Sequence, residues 1–348
     1  MNKKISKITT KFKTIPLKNP FITALRRVEN VEFVRVTITC DDGSIGIGEA
    51  PATMAITGED IPIITQSIES VRSELQGLEL NEAISCLHSL GIGSSAKAAL
   101  DMAFMSLLGF YQIEESAPIK TDITISLNAK EKMLKDARLA FESGMDILKI
   151  KLGSDIEHAV EVTRGLSQTL PDAKLLIDAN QAWSKEESLL YVNATESLKL
   201  ELIEQPVIAS DLDSLRVITS TTQTPLLADE ATFTLEDVKR VVESKSADMI
   251  NIKLMKCGGV SRAVEILEYA RKNGVVCMLG SMLEGPYSIN AALYLAFNYR
   301  DVIKYVDLDS PLLYRELSNE LDFHFEGAVV SFSPKGRFHH SEHSHLDE

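Results

Sequence analysis

The 348-residue sequence is poor in cysteine, tryptophan and long apolar runs, and each scarcity removes a class of protein. Cys40, Cys86, Cys257 and Cys277 are scattered without a CxxC pair, which argues against a disulfide framework and suits buried thiols in a reducing compartment. No stretch approaches the ~20 consecutive apolar residues of a membrane span. The opening Met-Asn-Lys-Lys-Ile-Ser-Lys is basic but lacks the apolar core of a signal peptide, so a cytoplasmic location is expected. Lys and Arg number 36 against 50 Asp and Glu, a net charge of −14, which argues against a nucleic-acid or anionic-membrane surface. Trp183 and the seven histidines form no constellation. The tail around His339, His340, His343 and His345 is His-rich; such tracts can bind metal, but a solvated terminus is the plainer reading.

What is present is a series. Short apolar runs recur through the second half of the chain, each ending near an ionisable or polar residue: Lys151, Asp178, Glu204, Asp229, Lys253, Ser281 and Asp307, at intervals of 24 to 28 residues. A strand plus a crossover helix has about that length, and apolar runs bounded by turns suit the strands of a buried parallel sheet. Thr121–Leu127 supplies a first strand, and helical periodicity fills the gaps. Eight strands with intervening helices predict a (β/α) barrel over 117–317, with its chemistry at the carboxyl ends of the strands. The first 116 residues read differently. Two strands, a polar loop from Lys18 to Arg27 between them, an Asp41-Asp42-Gly43 hairpin and then three helices predict an α+β lobe. Residues 318–348 are expected to return to it.

Asp178, Glu204 and Asp229 would end three consecutive strands, so their side chains can meet. Any one alone is most simply a strand-end acid capping a helix. Three together would raise one another's pKa unless a cation sits among them, and an all-oxygen donor set suits Mg²⁺ before Mn²⁺ or Ca²⁺. Lys149 and Lys151 are two apart, hence on one face of a strand. Neighbouring ammoniums beside a divalent ion should depress each other's pKa and make one a usable base. Lys253 falls across the barrel, so a proton can leave one face of a carbon and return to the other. A Schiff-base lysine is the rival reading. Asp307 and Asp309 again share a face and suit an ammonium group, or a pair of helix caps.

Lys149-Ile150-Lys151, Asp178-Ala179-Asn180, Glu204-Gln205-Pro206, Ala228-Asp229-Glu230 and Asn251-Ile252-Lys253-Leu254-Met255-Lys256 together resemble the dipeptide epimerases of the enolase superfamily, muconate-lactonizing-enzyme subgroup. The likeness runs from Pro16 through Leu313, with a slightly shortened segment between Lys151 and Asp178. It implies an α+β capping domain over a modified (β/α)₇β barrel. It also implies one Mg²⁺ on Asp178, Glu204 and Asp229, proton transfer by Lys151 and Lys253 through a metal-stabilised enediolate, and Lys149 as electrostatic helper. Asp307 and Asp309 would hold the substrate ammonium, and Ser281 and Met282 would line the peptide group. The cap stretch from Pro16 to Arg26 resembles that of L-Ala-D/L-Glu epimerases, where an arginine at the position of Arg26 pairs with the glutamate side chain. Murein-peptide metabolism is the setting this implies. The partner is then a small dipeptide, and a homo-oligomer stays open.

Two other readings compete. One is a different enolate reaction on the same fold: o-succinylbenzoate synthesis, N-succinylamino acid racemisation, cycloisomerisation, or epimerisation of other dipeptides. The other is a non-catalytic barrel that binds a small anion, against which the full set of lysines and acids argues.

Overall fold

The computed structural model describes residues 3–22 and 27–333. The N-terminal lobe starts with an antiparallel sheet of β1 (Ile5–Ile22), β2 (Arg27–Cys40) and β3 (Ile45–Pro51). Asp41-Asp42-Gly43 makes the expected tight turn, with Gly43 at φ +81 and its N–H donating to the Cys40 carbonyl. The first part of the expected polar loop, residues 18–22, is the end of β1: after a register shift, Phe21 and Ile22 pair with Val28 and Arg27. Four helices follow, α1 (Met54–Thr57), α2 (Ile61–Leu75), α3 (Leu80–Ser89) and α4 (Ser94–Leu107). Helix α4 is packed on almost all sides and lies flat on β3. That contact needs glycine: a Cβ at Gly46 or Gly48 would overlap the carbonyl oxygens of Ala103 or Ala99.

After β4 (Ile119–Lys120) the chain alternates. In order come β5 (Ile123–Ile125), α5 (Lys130–Glu142), β6 (Ile147–Lys151), α6 (Ile156–Thr169), β7 (Lys174–Asp178), α7 (Lys185–Thr195), β8 (Leu200–Glu204), α8 (Leu212–Thr221), β9 (Leu226–Ala228) and α9 (Leu235–Ser244). Then follow β10 (Met249–Lys253), the single turn α10 (Leu254–Cys257), α11 (Val260–Asn273), β11 (Val276–Gly280), α12 (Pro286–Asn298) and β12 (Ile303–Asp307). Strands β5 to β12 form one parallel sheet in sequential order. Asp122 N–H donates to the Val306 carbonyl (3.0 Å) and brings the two edge strands together. This is the eight-stranded, seven-helix barrel with a cap that the sequence predicts.

The chain ends in α13 (Ser310–Leu313) and the hairpin β13 (Phe323–Glu326) and β14 (Val329–Phe332). The hairpin was expected to return to the first lobe. Its strand β14 pairs instead with β4 at the barrel's start. Contact with the cap comes from just before it, where Arg315 N–H donates to the Pro16 carbonyl and Glu320 forms a two-point ion pair with Arg35. The His-rich tail lies outside the described residues.

Period-two alternation organises the barrel interior. Leu176, Leu202, Leu227, Met249, Met278 and Tyr305 point inward and form a separate apolar cluster, the floor. Two residues further along the same strands come Asp178, Glu204, Asp229, Asn251, Gly280 and Asp307. A charged layer therefore stands directly on an apolar one.

Two buried carboxylates fasten cap to barrel. Glu49, at the end of β3, accepts hydrogen bonds from the Tyr287 and Ser288 N–H groups at the start of α12, and from Arg35. Asp101, on α4, accepts from the Ser261 N–H at the start of α11 (3.0 Å). Each anion answers the positive end of a barrel helix. Gly48→Ala should destabilise the cap by about 1–3 kcal/mol, since the helix beneath must move. A melting temperature equal to that of the parent chain would contradict the close packing of α4 on β3.

Candidate active site

The carboxyl ends of the barrel strands open into a cavity of about 620 Å³, mouth included. Its walls include Lys151, Asp229, Lys253, Ser281, Met282, Asp307 and Asp309 from the barrel. Phe21 and the single-turn helix α1, through Ala55 and Ile56, reach over it from the cap. The barrel residues singled out from the sequence thus converge. Arg26 lies outside the described residues. Its neighbour Arg27 opens β2, is largely exposed and pairs with Glu29 at 3.5 Å. It borders a different groove, shared with Lys18, Lys132 and Asp136.

Lys149 is the hub. Its ammonium is fully buried and lies 2.6 Å from Glu204, 2.6 Å from Asp307 and 3.2 Å from Asp178. Lys151 sits one pleat further out and donates to Asp178 Oδ2 (2.5 Å). On the opposite arc, Lys253 donates to Asp229 Oδ2 and Lys256 to Asp229 Oδ1, both at 2.6 Å. The space for Lys253 depends on Gly280 next to it, where a Cβ would fall 3.1 Å from Lys253 Cε and 2.7 Å from Asn251 Oδ1.

Several residues that carry this arrangement were quoted in motifs without a role. Asn251 donates to Glu204 Oε1 (2.8 Å) and fixes the carboxylate plane. Gln205, held at a left-handed φ of +36, accepts from the Asp229 and Ala231 N–H groups and so ties the end of β8 to the loop after β9. Asn180, also left-handed, donates its N–H to Asp178 Oδ1 (2.9 Å). Lys256 is pinned by the Asn251 carbonyl and both the carbonyl and carboxylate of Asp229. The one signal available in sequence was position: Asn180 and Gln205 closely follow the strand-end acids Asp178 and Glu204, and Asn251 and Lys256 flank the strand-end Lys253.

The electrostatics follow from acids outnumbering ammonium groups. Burial opposes ionisation of Asp178, yet Lys151 and Lys149 hold its carboxyl down to about 2. Burial also opposes ionisation of Asp229, which Lys253 and Lys256 keep well below the usual range. Glu204 goes the other way: burial and Asp178 push it from 4.5 up to about 8. Burial and Asp229 push Glu230 to about 7. The expected mutual depression of neighbouring lysines is not what the protein alone produces. Burial lowers Lys149, but Asp307, Glu204 and Asp178 outweigh it and raise its pKa well above normal. Lys253 is likewise raised, Asp229 outweighing burial.

These donors fit a hard divalent cation. Asp178, Glu204 and Asp229 offer oxygen only, from three adjacent strands, and Glu204 Oε2 is buried without a hydrogen bond despite its nearness to Lys149. The tightest acidic grouping among the described residues is a different one, Asp122, Asp307 and Asp309, with an oxygen of each within 4.8 Å of the others. Asp309 accepts from the Thr124 N–H (2.7 Å). It does not cap the following turn α13, so the helix-cap reading of this pair fails. Ser281 N–H donates to the Asp307 carbonyl, and Met282 N–H to Glu284.

A stability profile follows. Glu49, Glu204, Glu230 and Glu284 are raised from 4.5 to about 7, 8, 7 and 7, burial being the leading cause in each. Between about pH 4.5 and 8 the folded chain therefore binds more protons than the unfolded one, and stability falls as pH rises through that window. Thermal melts in chelator-containing buffer should show a melting temperature declining from about pH 5 to 8; a flat or rising profile would contradict it.

Residues 132–335 match the family described as Enolase C-terminal domain-like. The chain is 56% identical over 337 residues to an L-amino acid-D/L-Glu epimerase of Sulfurimonas denitrificans, covering 94% of this chain and 99% of the relative. It superposes on the substrate-liganded L-Ala-D/L-Glu epimerase of Bacillus subtilis with a TM-score of 0.90 at 36% identity, over 94% and 96% of the two chains. It superposes on the Enterococcus faecalis dipeptide epimerase, complexed with Mg and L-Leu-L-Tyr, with a TM-score of 0.88 at 30% identity, over 95% and 97%.

Proposed function

The chain belongs to the dipeptide epimerases of the enolase superfamily, and on that footing we propose that it epimerises dipeptides at the α-carbon of a C-terminal glutamate, L-Ala-D/L-Glu foremost. The observation that carries the reading is the pairing of Lys151 with Lys253 on opposite arcs of one cavity, with Asp178, Glu204 and Asp229 between them. One lysine takes the α-proton and the other returns it from the opposite side, which inverts the carbon. Charge then builds on the substrate carboxylate. Mg²⁺ held by Asp178, Glu204 and Asp229 would stabilise that charge and lower the acidity barrier at the α-carbon. Lys149 keeps Asp178, Glu204 and Asp307 in register through its ion pairs, while Lys253 and Lys256 hold Asp229. Asp307 and Asp309 receive the substrate ammonium from the wall of the same cavity. Ser281 and Met282 flank the peptide group.

The glutamate preference rests on Arg26 and on the relatives' substrates. A hydrophobic second residue is the alternative, since a 32% identical relative from Enterococcus faecalis is a hydrophobic dipeptide epimerase. Turnover of muropeptide-derived dipeptides in the cytoplasm is the role this chemistry suits.

With Mg²⁺ in deuterium oxide, the protein should exchange the glutamate α-proton of L-Ala-L-Glu, and Lys151→Ala or Lys253→Ala should each cut epimerisation by about 10²–10⁴-fold. Absence of exchange in the unaltered protein would overturn the activity. Loss of the Arg26 contact should lower kcat/KM for Ala-Glu by roughly ten- to hundredfold. Dipeptides with a neutral second residue should be hardly affected by Arg26→Ala, and equal losses on both would remove Arg26 from specificity.

A further inference from the structure

Asp122 is a buried acid that the mechanism above does not use. Its exposure is 0%, and among the described residues neither carboxylate oxygen has a hydrogen-bond donor. Its backbone is clamped: the N–H donates to the Val306 carbonyl, and the preceding Thr121 hydroxyl donates to that carbonyl and accepts from the Leu308 N–H. The clamp aims the carboxyl at Asp307 and Asp309, with one oxygen of each acid inside a 4.8 Å group. Asp307 and Asp309 line the cavity, and Asp122 stands behind them.

An unpaired buried carboxylate is expensive, and one packed against two others is more so. Asp307 has Lys149 and Asp309 has the Thr124 N–H; among the described residues Asp122 has no such donor. We propose that Asp122 is a positioning residue that stays protonated and donates its O–H to Asp307, so that the pocket offers two negative charges rather than three to the substrate's ammonium group. The inference rests on the reading of Asp307 and Asp309 as the ammonium site. With Asp122 neutral, the incoming ammonium meets two carboxylates, one of which already pairs with Lys149. The O–H also fixes the Asp307 carboxylate from behind, leaving its cavity side for the substrate. Burial, with Asp307 and Asp309 adding to it, raises the Asp122 pKa well above the carboxylate range. Asp309 is raised only to about 6 by burial and Asp307, so it ionises near neutrality.

Two measurements test this. Infrared spectra of protein carrying ¹³C-carboxyl aspartate at about pH 8, where ordinary aspartates are ionised, should show an isotope-shifted carboxylic acid C=O band that Asp122→Asn removes. No labelled acid band in the unaltered protein, or a band that survives in Asp122→Asn, overturns the proposal. For L-Ala-L-Glu, Asp122→Asn should keep KM within about threefold, because the amide supplies the N–H donor without charge. Asp122→Ala should raise KM about tenfold or more, the scale of one hydrogen bond to a charged group, while kcat stays within about threefold. Equal impairment by Asn and Ala, or a loss confined to kcat, contradicts the role. The infrared measurement needs no turnover, so it decides on Asp122 even if the chain does not epimerise this dipeptide.

Discussion

The ammonium of Lys149 is the point on which the charged half of the barrel depends. It touches Glu204, Asp307 and Asp178, acids delivered by β8, β12 and β7, while it stands itself on β6. Among the described residues it is the one ammonium within ion-pair distance of Glu204 and of Asp307; beside it Glu204 keeps only the Asn251 amide. Removing one partner from a buried ion cluster leaves an uncompensated charge, which costs several kcal/mol. Lys149 therefore links two functions in space: the carboxylates suited to a divalent ion on one side, and the pair suited to an ammonium on the other.

That arrangement works because the reactive groups sit on the strands or one to two residues past their ends. A two-residue step along each strand separates the floor from the charged layer, so one backbone geometry sets both. Within and around the layer, Asn251 and Lys256 donate side-chain hydrogen bonds that fix oxygens of Glu204 and Asp229, and the Gln205 side-chain oxygen holds the Asp229 backbone N–H. The cap contributes Phe21, Ala55 and Ile56 at the mouth, apart from the charged layer below. Glu49 and Asp101 join that cap to helix starts on the barrel.

The barrel was legible because its strands are buried on both faces and read as apolar runs at nearly even spacing. The same spacing located Lys151, Asp178, Glu204, Asp229, Lys253 and Asp307. Asp122 was invisible to that reading. It precedes its strand, and it reaches the site only because the stagger of a closed sheet sets the beginning of β5 beside the end of β12. The end of β1 was misread as loop because Lys18, Asn19 and Pro20 interrupt the strand pattern, although a two-stranded arm needs no continuous apolar face where it leaves the core. The path of β13 and β14 was equally hidden, since alternation shows that a segment is a strand but not which edge it joins. The raised pKa of Lys149 also lay beyond the sequence, which shows two lysines on one face but not the three acids that close around the inner one.

The floor of Leu176, Leu202, Leu227, Met249, Met278 and Tyr305 makes the barrel a cup rather than a tube. Among the described residues the floor closes the end opposite Phe21 and Ile56, so a substrate enters and its product leaves on the cap side. Filling and emptying therefore share one side of the vessel, and the cap residues there stand in the path of both.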